Sequence, residues 1–126
     1  MTWGDRLPTV LVVVDDSDLR RRLVDHLRGT GFDVDACADA AEAQAAAVDH
    51  DAVVVDLRAG LMADVAVARQ LGLRRPGAEI VLRTASLEGQ HPSLPNITFA
   101  PTSGTFAELT AILRRTWRHR AQLLPV

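Results

Sequence analysis

Three runs of apolar residues stand out when the chain is read for the alternation of hydrophobic and polar positions. They occupy residues 10–14, 52–56 and 80–84, where the sequence is VLVVV, AVVVD and IVLRT. An apolar run of this length without alternation predicts a β-strand that is buried on both faces. We therefore expect three strands in the middle of a parallel sheet.

Two weaker patterns predict further strands. Apolar residues alternate with aspartates from Phe32 to Ala36, which is typical of a half-exposed strand. The short run ITF, residues 97–99, predicts a fifth strand. The segment before it, from Leu87 to Asn96, contains one glycine and two prolines, which interrupt helices. We expect a loop there, or a helix of one or two turns.

Apolar residues at helical spacing connect the strands. Ser17 is the predicted N-cap of the first helix, and Gly29 and Gly31 mark its end. The apolar face of this helix consists of residues three or four positions apart: Leu19, Leu23, Val24 and Leu27.

Two capping boxes mark the start of further helices. Asp39 with Glu42 precedes an alanine-rich second helix, and Thr105 with Glu108 precedes the last helix. A third helix is predicted for residues 63–71. The apolar residues of the last helix again follow a helical period: Phe106, Leu109, Ile112, Leu113 and Trp117.

Strands and helices therefore alternate five times along the chain. This alternation predicts a doubly wound α/β domain that spans residues 1–126, with helices on both faces of a parallel sheet. In such folds ligands bind at the carboxyl ends of the strands, where the strand order switches.

Composition and charge exclude several other classes of protein. The net charge of −2 gives no electrostatic reason to expect binding to nucleic acid. The single cysteine, Cys37, fits a reducing compartment and a role in packing. No apolar run reaches the roughly 18 residues of a membrane span, and residues 1–8 lack the apolar core of a signal peptide. We therefore expect a cytoplasmic protein. All fourteen basic residues are arginines.

Carboxylates follow or end two of the apolar strands. Asp15 and Asp16 come directly after the first strand, Asp56 ends the third, and Thr84 ends the fourth. Because parallel strands bring these ends to one edge of the sheet, we predict a site in which Asp15, Asp16 and Asp56 bind Mg²⁺. A carboxylate beside Mg²⁺ can act as a nucleophile on a phosphoryl group.

Three segments in order, VLVVVDDSDLRRRL, AVVVDLRAGLM and IVLRTA, resemble the receiver domains of two-component response regulators over nearly the whole chain. The resemblance implies a flavodoxin-like sheet of strand order 2-1-3-4-5. It also implies that Asp56 accepts a phosphoryl group from a histidine kinase, that Asp15 holds Mg²⁺, and that Thr84 is the switch hydroxyl.

The acidic pair of the receiver pattern can be aligned in two ways. Without a gap, Val14 replaces the first acidic residue, Asp15 is the second, and Asp16 falls on a variable position. With a gap, Asp15 and Asp16 both belong to the pair. We favour the ungapped alignment because the residues of the first helix then match as well.

Other positions also depart from the receiver pattern. Ala100 stands where receivers have a lysine before Pro101, and Ile97 stands at the aromatic switch position. Gly60 and Met62–Asp64 replace the usual residues after the phosphoacceptor. The segment between Thr84 and Pro101 is short, so the fourth helix should be short or missing. These departures predict a degenerate receiver that binds Mg²⁺ weakly and lacks the cation that senses phosphate.

Two functional hypotheses follow. The domain is a phosphorylation-dependent switch, or it is an interaction module on the receiver fold that works without phosphorylation. Neither is an enzyme; a third possibility, a flavodoxin-like enzyme, lacks a phosphate-binding loop after the first strand. The expected partners are a histidine kinase or another signalling protein, and a second copy of the chain. A basic face on the last helix is a candidate contact surface: Arg114, Arg115, Arg118 and Arg120.

Overall fold

The structure, a computed structural model, describes residues 7–46, 49–85 and 96–123, with side chains as far as Thr116. Five strands and four helices lie within these ranges, and in the described residues they alternate along the chain except that β5 follows β4. The strands are β1 (Thr9–Val14), β2 (Asp33–Cys37), β3 (Ala52–Asp56), β4 (Glu79–Thr84) and β5 (Ile97–Pro101). The helices are α1 (Ser17–Gly29), α2 (Ala40–Ala45), α3 (Leu61–Arg74) and α4 (Phe106–Leu123).

All strands are parallel, and the sheet order is β2-β1-β3-β4-β5. The predicted flavodoxin-like topology is thereby confirmed. The central strands β1, β3 and β4 are almost wholly buried, as their unbroken apolar runs predict. In the β1–β3 register Val14 lies opposite Asp56, so the two strands end at the same level.

Helices cover both faces of the sheet because successive strand residues point to opposite sides. On one face, Val10, Val12 and Val14 pack in a core with apolar residues of α1 and α4. On the other face, Leu11 and Val13 pack in a second core with apolar residues of α2 and α3. The predicted two-sided packing is confirmed.

The start of α1 differs from the prediction. Asp16, not Ser17, is the N-cap, and its Oδ1 accepts a hydrogen bond from the Leu19 N–H at 3.0 Å. This bond lowers the pKa of the Asp16 carboxyl. The Ser17 prediction is wrong because the extended backbone required of a cap continues through Asp16 and helical geometry begins at Ser17.

The other predicted caps are present. Asp39 Oδ1 accepts from the Glu42 N–H at 2.8 Å, and Thr105 Oγ1 accepts from the Glu108 N–H at 3.1 Å. Helix α3 is longer than predicted at both ends, and it ends at Arg74, two residues before Pro76.

Strand β2 also differs in detail. It is an edge strand whose buried residues are Val34 on one face and Cys37 on the other, while Ala36 is exposed. The expected alternation therefore holds from Phe32 to Asp35 and fails at Ala36. The packing role predicted for Cys37 is confirmed, and burial raises the pKa of its thiol to about 11.

Two predictions lie partly outside the described residues. Only Asn96 of the segment from Leu87 to Asn96 is described, so the short or missing fourth helix stays a prediction. The side chains of Trp117, Arg118 and Arg120 are likewise outside. Of the basic face on α4, Arg114 makes a contact within the domain, because it donates to the Thr30 carbonyl and lies over the Phe32 ring.

Candidate functional site

The carboxyl edge of the sheet gathers the residues that the sequence singles out. Asp56 ends β3 and is completely buried, whereas Asp15 follows β1 and is exposed. Thr84 ends β4 and lines a cavity at this edge. Asp16 lies at the same edge, but its carboxylate caps α1, as described above.

Both carboxylate oxygens of Asp56 accept hydrogen bonds from arginines. Arg83 NH1 donates to Oδ2 at 3.0 Å, and Arg58 Nε donates to Oδ1 at 3.2 Å. The Arg83 side chain is 4% exposed, so this ion pair is buried, while the Arg58 side chain is 58% exposed. A buried carboxylate needs such partners because an unpaired buried charge is strongly destabilising.

Arg83 reaches Asp56 from the neighbouring strand. In the β4–β5 register it lies opposite Ala100, whose small buried side chain stands where receivers have lysine. Its other amino nitrogen, NH2, donates to the Thr102 carbonyl at 3.2 Å, and its guanidinium lies 5.8 Å from the centre of the Phe106 ring. Burial lowers the pKa of Arg83, and the Asp56 carboxylate opposes that shift.

The lysine of the receiver pattern is replaced by Ala100, as the sequence shows, but Arg83 and Arg58 supply positive charge beside Asp56, which was not predicted from the sequence. Arg83 supplies positive charge from β4, whereas the receiver pattern places its lysine at the position of Ala100 on β5. The sequence did contain a signal. An arginine inside an otherwise apolar strand, IVLRTA, requires a buried acidic partner.

A cavity of about 480 Å³ opens beside this ion pair. Arg58, Arg83 and Thr84 line it, together with Thr102 and Ser103 from the β5–α4 loop. Gly60 of the β3–α3 loop and Asp64 of α3 form another part of the wall, and the Asp64 carboxylate accepts a hydrogen bond from the Ala59 N–H at 3.2 Å. Burial raises the pKa of Asp64, and the nearby carboxylates of Asp56 and Asp15 add to this shift.

The residues at this edge are poorly suited to bind a Mg²⁺ ion. Mg²⁺ requires oxygen ligands, yet both oxygens of Asp56 are bonded to guanidinium groups, whose positive charge opposes a divalent cation. Val14 contributes a buried apolar side chain, and Asp16 caps a helix. Within the described ranges, no three carboxylate, imidazole or thiolate groups lie close enough together to hold a metal ion.

Comparison with known proteins supports the family resemblance. The chain superposes on a CheY-like response regulator receiver domain protein from Methanospirillum hungatei with a TM-score of 0.75 and 17% identity, covering 93% of this chain and 98% of that one. The chain has the receiver-domain fold. The response regulator TrrA from Thermotoga maritima, in complex with Mg²⁺-BeF, shares this fold with a TM-score of 0.69 and 21% identity, covering 87% of this chain and 99% of TrrA.

Curated sequences give a partial match to this receiver-fold domain. The chain is 40% identical over 73 residues to the transcriptional regulatory protein PrrA of Mycobacterium tuberculosis and of Mycobacterium bovis. The match covers 56% of the chain but 31% of the length of either relative. No family model matches the chain. Within the described residues, no helix is long and apolar enough to cross a membrane.

Proposed function

We propose that this domain is an atypical receiver, a signalling module that works without Mg²⁺-dependent phosphorylation of Asp56. One observation carries the proposal: the Asp56 carboxylate is completely buried, and each of its oxygens accepts a hydrogen bond from an arginine. This geometry favours the interaction-module hypothesis over the phosphorylation-dependent switch.

The argument concerns the nucleophile. To attack a phosphoryl group, an oxygen of Asp56 must leave its guanidinium partner, and a hydrogen bond to a charged group is worth about 1.5–3 kcal/mol. In a metal-assisted reaction the cation offsets the charge that develops during transfer. In this structure the guanidinium groups of Arg58 and Arg83, rather than a metal ion, supply the positive charge beside Asp56. Asp15, Asp16 and Asp56 together would therefore form a weak Mg²⁺ site.

The proposed partners are signalling proteins, either a histidine kinase or another protein that recognises the receiver fold. PrrA is named a transcriptional regulatory protein, so this domain could regulate an output that acts on DNA elsewhere in a larger protein. The domain itself, with a net charge of −2, is not proposed to bind nucleic acid. Its proposed role is regulatory rather than enzymatic, and its proposed location is the cytoplasm.

The phosphorylation-dependent switch remains the second candidate. It is favoured by the position of Thr84, which lines the cavity directly beside the Asp56–Arg83 pair. In this alternative the phosphoryl group on Asp56 displaces Arg58, and Thr84 donates a hydrogen bond to a phosphoryl oxygen.

Phosphoryl transfer from a small phosphodonor separates the two candidates. The unaltered protein is incubated with acetyl phosphate and Mg²⁺, and its intact mass is measured, with Asp56→Asn as the control. A receiver of known activity, treated in parallel, shows that the reagent works. We expect no phosphoryl adduct on the unaltered chain. An adduct that Asp56→Asn abolishes would establish the switch instead.

A further inference from the structure

We propose that the cavity beside Asp56 is a noncovalent binding site for a small phosphate monoester, whose phosphate competes with the Asp56 carboxylate for Arg58 and Arg83. The inference rests on the proposed function, in which Asp56 itself is not phosphorylated. It identifies the input of the module as a bound ligand rather than a covalent modification.

The cavity has the size and the donors for such a ligand. Its volume of about 480 Å³ lies within the range of roughly 300–1,000 Å³ that is usual for small-molecule sites. Two guanidinium groups and the hydroxyl-bearing residues Thr84, Thr102 and Ser103 line it. A phosphate needs several donors that converge from different directions, and these come from three separate chain segments.

Arg58 is the part of the site that a ligand can reach directly. Its hydrogen bond to Asp56 uses Nε, whereas the terminal nitrogens carry the donors suited to bidentate contact with a phosphate. The side chain is mostly exposed, so its capture requires little loss of buried contacts. Arg58 has a φ of 53°, a left-handed conformation that costs a non-glycine residue energy and is frequent at functional sites.

The opening of α3 adds to the positive character of the cavity. Gly60 is the N-cap, with no side-chain cap hydrogen bond, and both Gly60 and Leu61 line the cavity. The first N–H groups of this helix of 14 residues point toward its N-terminus, where binding of a phosphate is favourable.

Two acidic groups bear on the charge of the site. Asp56 is paired with both arginines, so a phosphate that takes the exposed Arg58 leaves the Asp56 carboxylate bonded to its buried partner Arg83. Asp64 also lines the cavity, and one oxygen of its carboxylate is engaged by a hydrogen bond from the Ala59 N–H.

Arg83 connects the site to the last helix. The same guanidinium that binds Asp56 also donates to the Thr102 carbonyl and lies over Phe106, the first residue of α4. The Phe106 ring lies in turn 5.9 Å from the Arg22 guanidinium and 5.5 Å from the His26 ring, both on α1. A phosphate that shares the Arg83 guanidinium with Asp56 therefore alters the contact between α4 and α1.

The test is an amide chemical-shift titration of the full chain with glycerol 3-phosphate, without Mg²⁺ and without a phosphodonor. Glycerol is the neutral control, inorganic phosphate tests whether the ester is needed, and sodium chloride keeps the ionic strength constant. We expect saturable shifts at Gly60, Thr84 and Thr102 and smaller shifts at Phe106, with glycerol inactive. Inorganic phosphate should bind at the same residues more weakly.

Arg58→Gln and Arg21→Gln form a matched pair of variants. Arg58 and Arg21 are both exposed, but Arg21 pairs with Asp18 on α1. Loss of a charge-assisted hydrogen bond should weaken binding of glycerol 3-phosphate at least about tenfold in Arg58→Gln. Arg21→Gln should bind like the unaltered protein.

Absence of saturable shifts, or equal affinity in Arg58→Gln and Arg21→Gln, would overturn the proposal. Shifts confined to the cavity residues, without any at Phe106, would overturn the connection to α4. The acetyl phosphate experiment measures covalent mass, whereas this titration contains neither Mg²⁺ nor phosphodonor. A failure of the proposed function and a failure of the ligand site are therefore read from different measurements.

Discussion

Replacing Arg83 by methionine removes the buried cation of the Asp56 pair while keeping an unbranched apolar stem. Asp56 is completely buried and the Arg83 side chain is 4% exposed, so the carboxylate would lose its most deeply buried partner. Breaking a buried pair from one side typically costs about 3–5 kcal/mol. Arg58 still donates to Asp56, at 3.2 Å from a mostly exposed position, so the lower end of that range applies.

We therefore expect Arg83→Met to lower the free energy of unfolding by about 3 kcal/mol. With a urea m-value of about 2 kcal/mol/M, the midpoint should fall by ~1.5 M. Far-UV circular dichroism during equilibrium urea unfolding measures both quantities. Because domains of this kind are stable by about 5–15 kcal/mol, the variant should remain folded in the absence of urea.

Two comparisons isolate the ion pair from other effects of the substitution. Arg22 stacks on the same Phe106 ring at 5.9 Å but is exposed, so Arg22→Met should cost about 1 kcal/mol or less. Asp56→Asn combined with Arg83→Met removes both charges. The loss in this double variant should be smaller than the sum of the single losses by about 2 kcal/mol.

Strict additivity in that cycle would refute the reasoning. The reasoning would also be refuted if Arg83→Met lowered the free energy of unfolding no more than Arg22→Met does. Either result would show that the pair between Asp56 and Arg83 does not stabilise the fold.

Three further predictions concern single side chains. Asp16→Ala should destabilise the protein in urea unfolding more than Ser17→Ala does, because Asp16 caps α1; the reverse order would contradict the cap assignment. Burial raises the pKa of Asp64, so the stability associated with its protonated form is present below the ordinary pKa of a carboxyl and lost as the pH rises through the raised value. Asp64→Asn should therefore have a higher free energy of unfolding than the unaltered protein at neutral pH, and this difference should shrink as the pH falls. Urea midpoints across a pH series test this. A difference that grows toward low pH would contradict it. Burial raises the pKa of Cys37 to about 11, so a thiol reagent at neutral pH should label the folded protein far more slowly than the urea-unfolded protein, and equal rates would argue against burial.

The amino-acid sequence alone determined the strands, the two buried faces of the central strands, and the starts of α2 and α4. Unbroken apolar runs such as residues 10–14 mark strands covered on both sides, and helical spacing marks the buried face of α1. These features can be read locally because the period of hydrophobic residues reflects the geometry of a single element. The position of Asp56 at the carboxyl edge followed from the same pattern together with the parallel arrangement of the strands.

Only the tertiary structure decided what surrounds Asp56. Arg83 follows it by 27 positions, and the two side chains meet because β3 and β4 are neighbours while Ala100 on β5 leaves space for a guanidinium. The choice between Asp16 and Ser17 as the cap likewise depended on where the backbone leaves the extended conformation. Pairing across strands depends on sheet order, register and the volume of adjacent side chains, none of which is encoded in the period of any one segment.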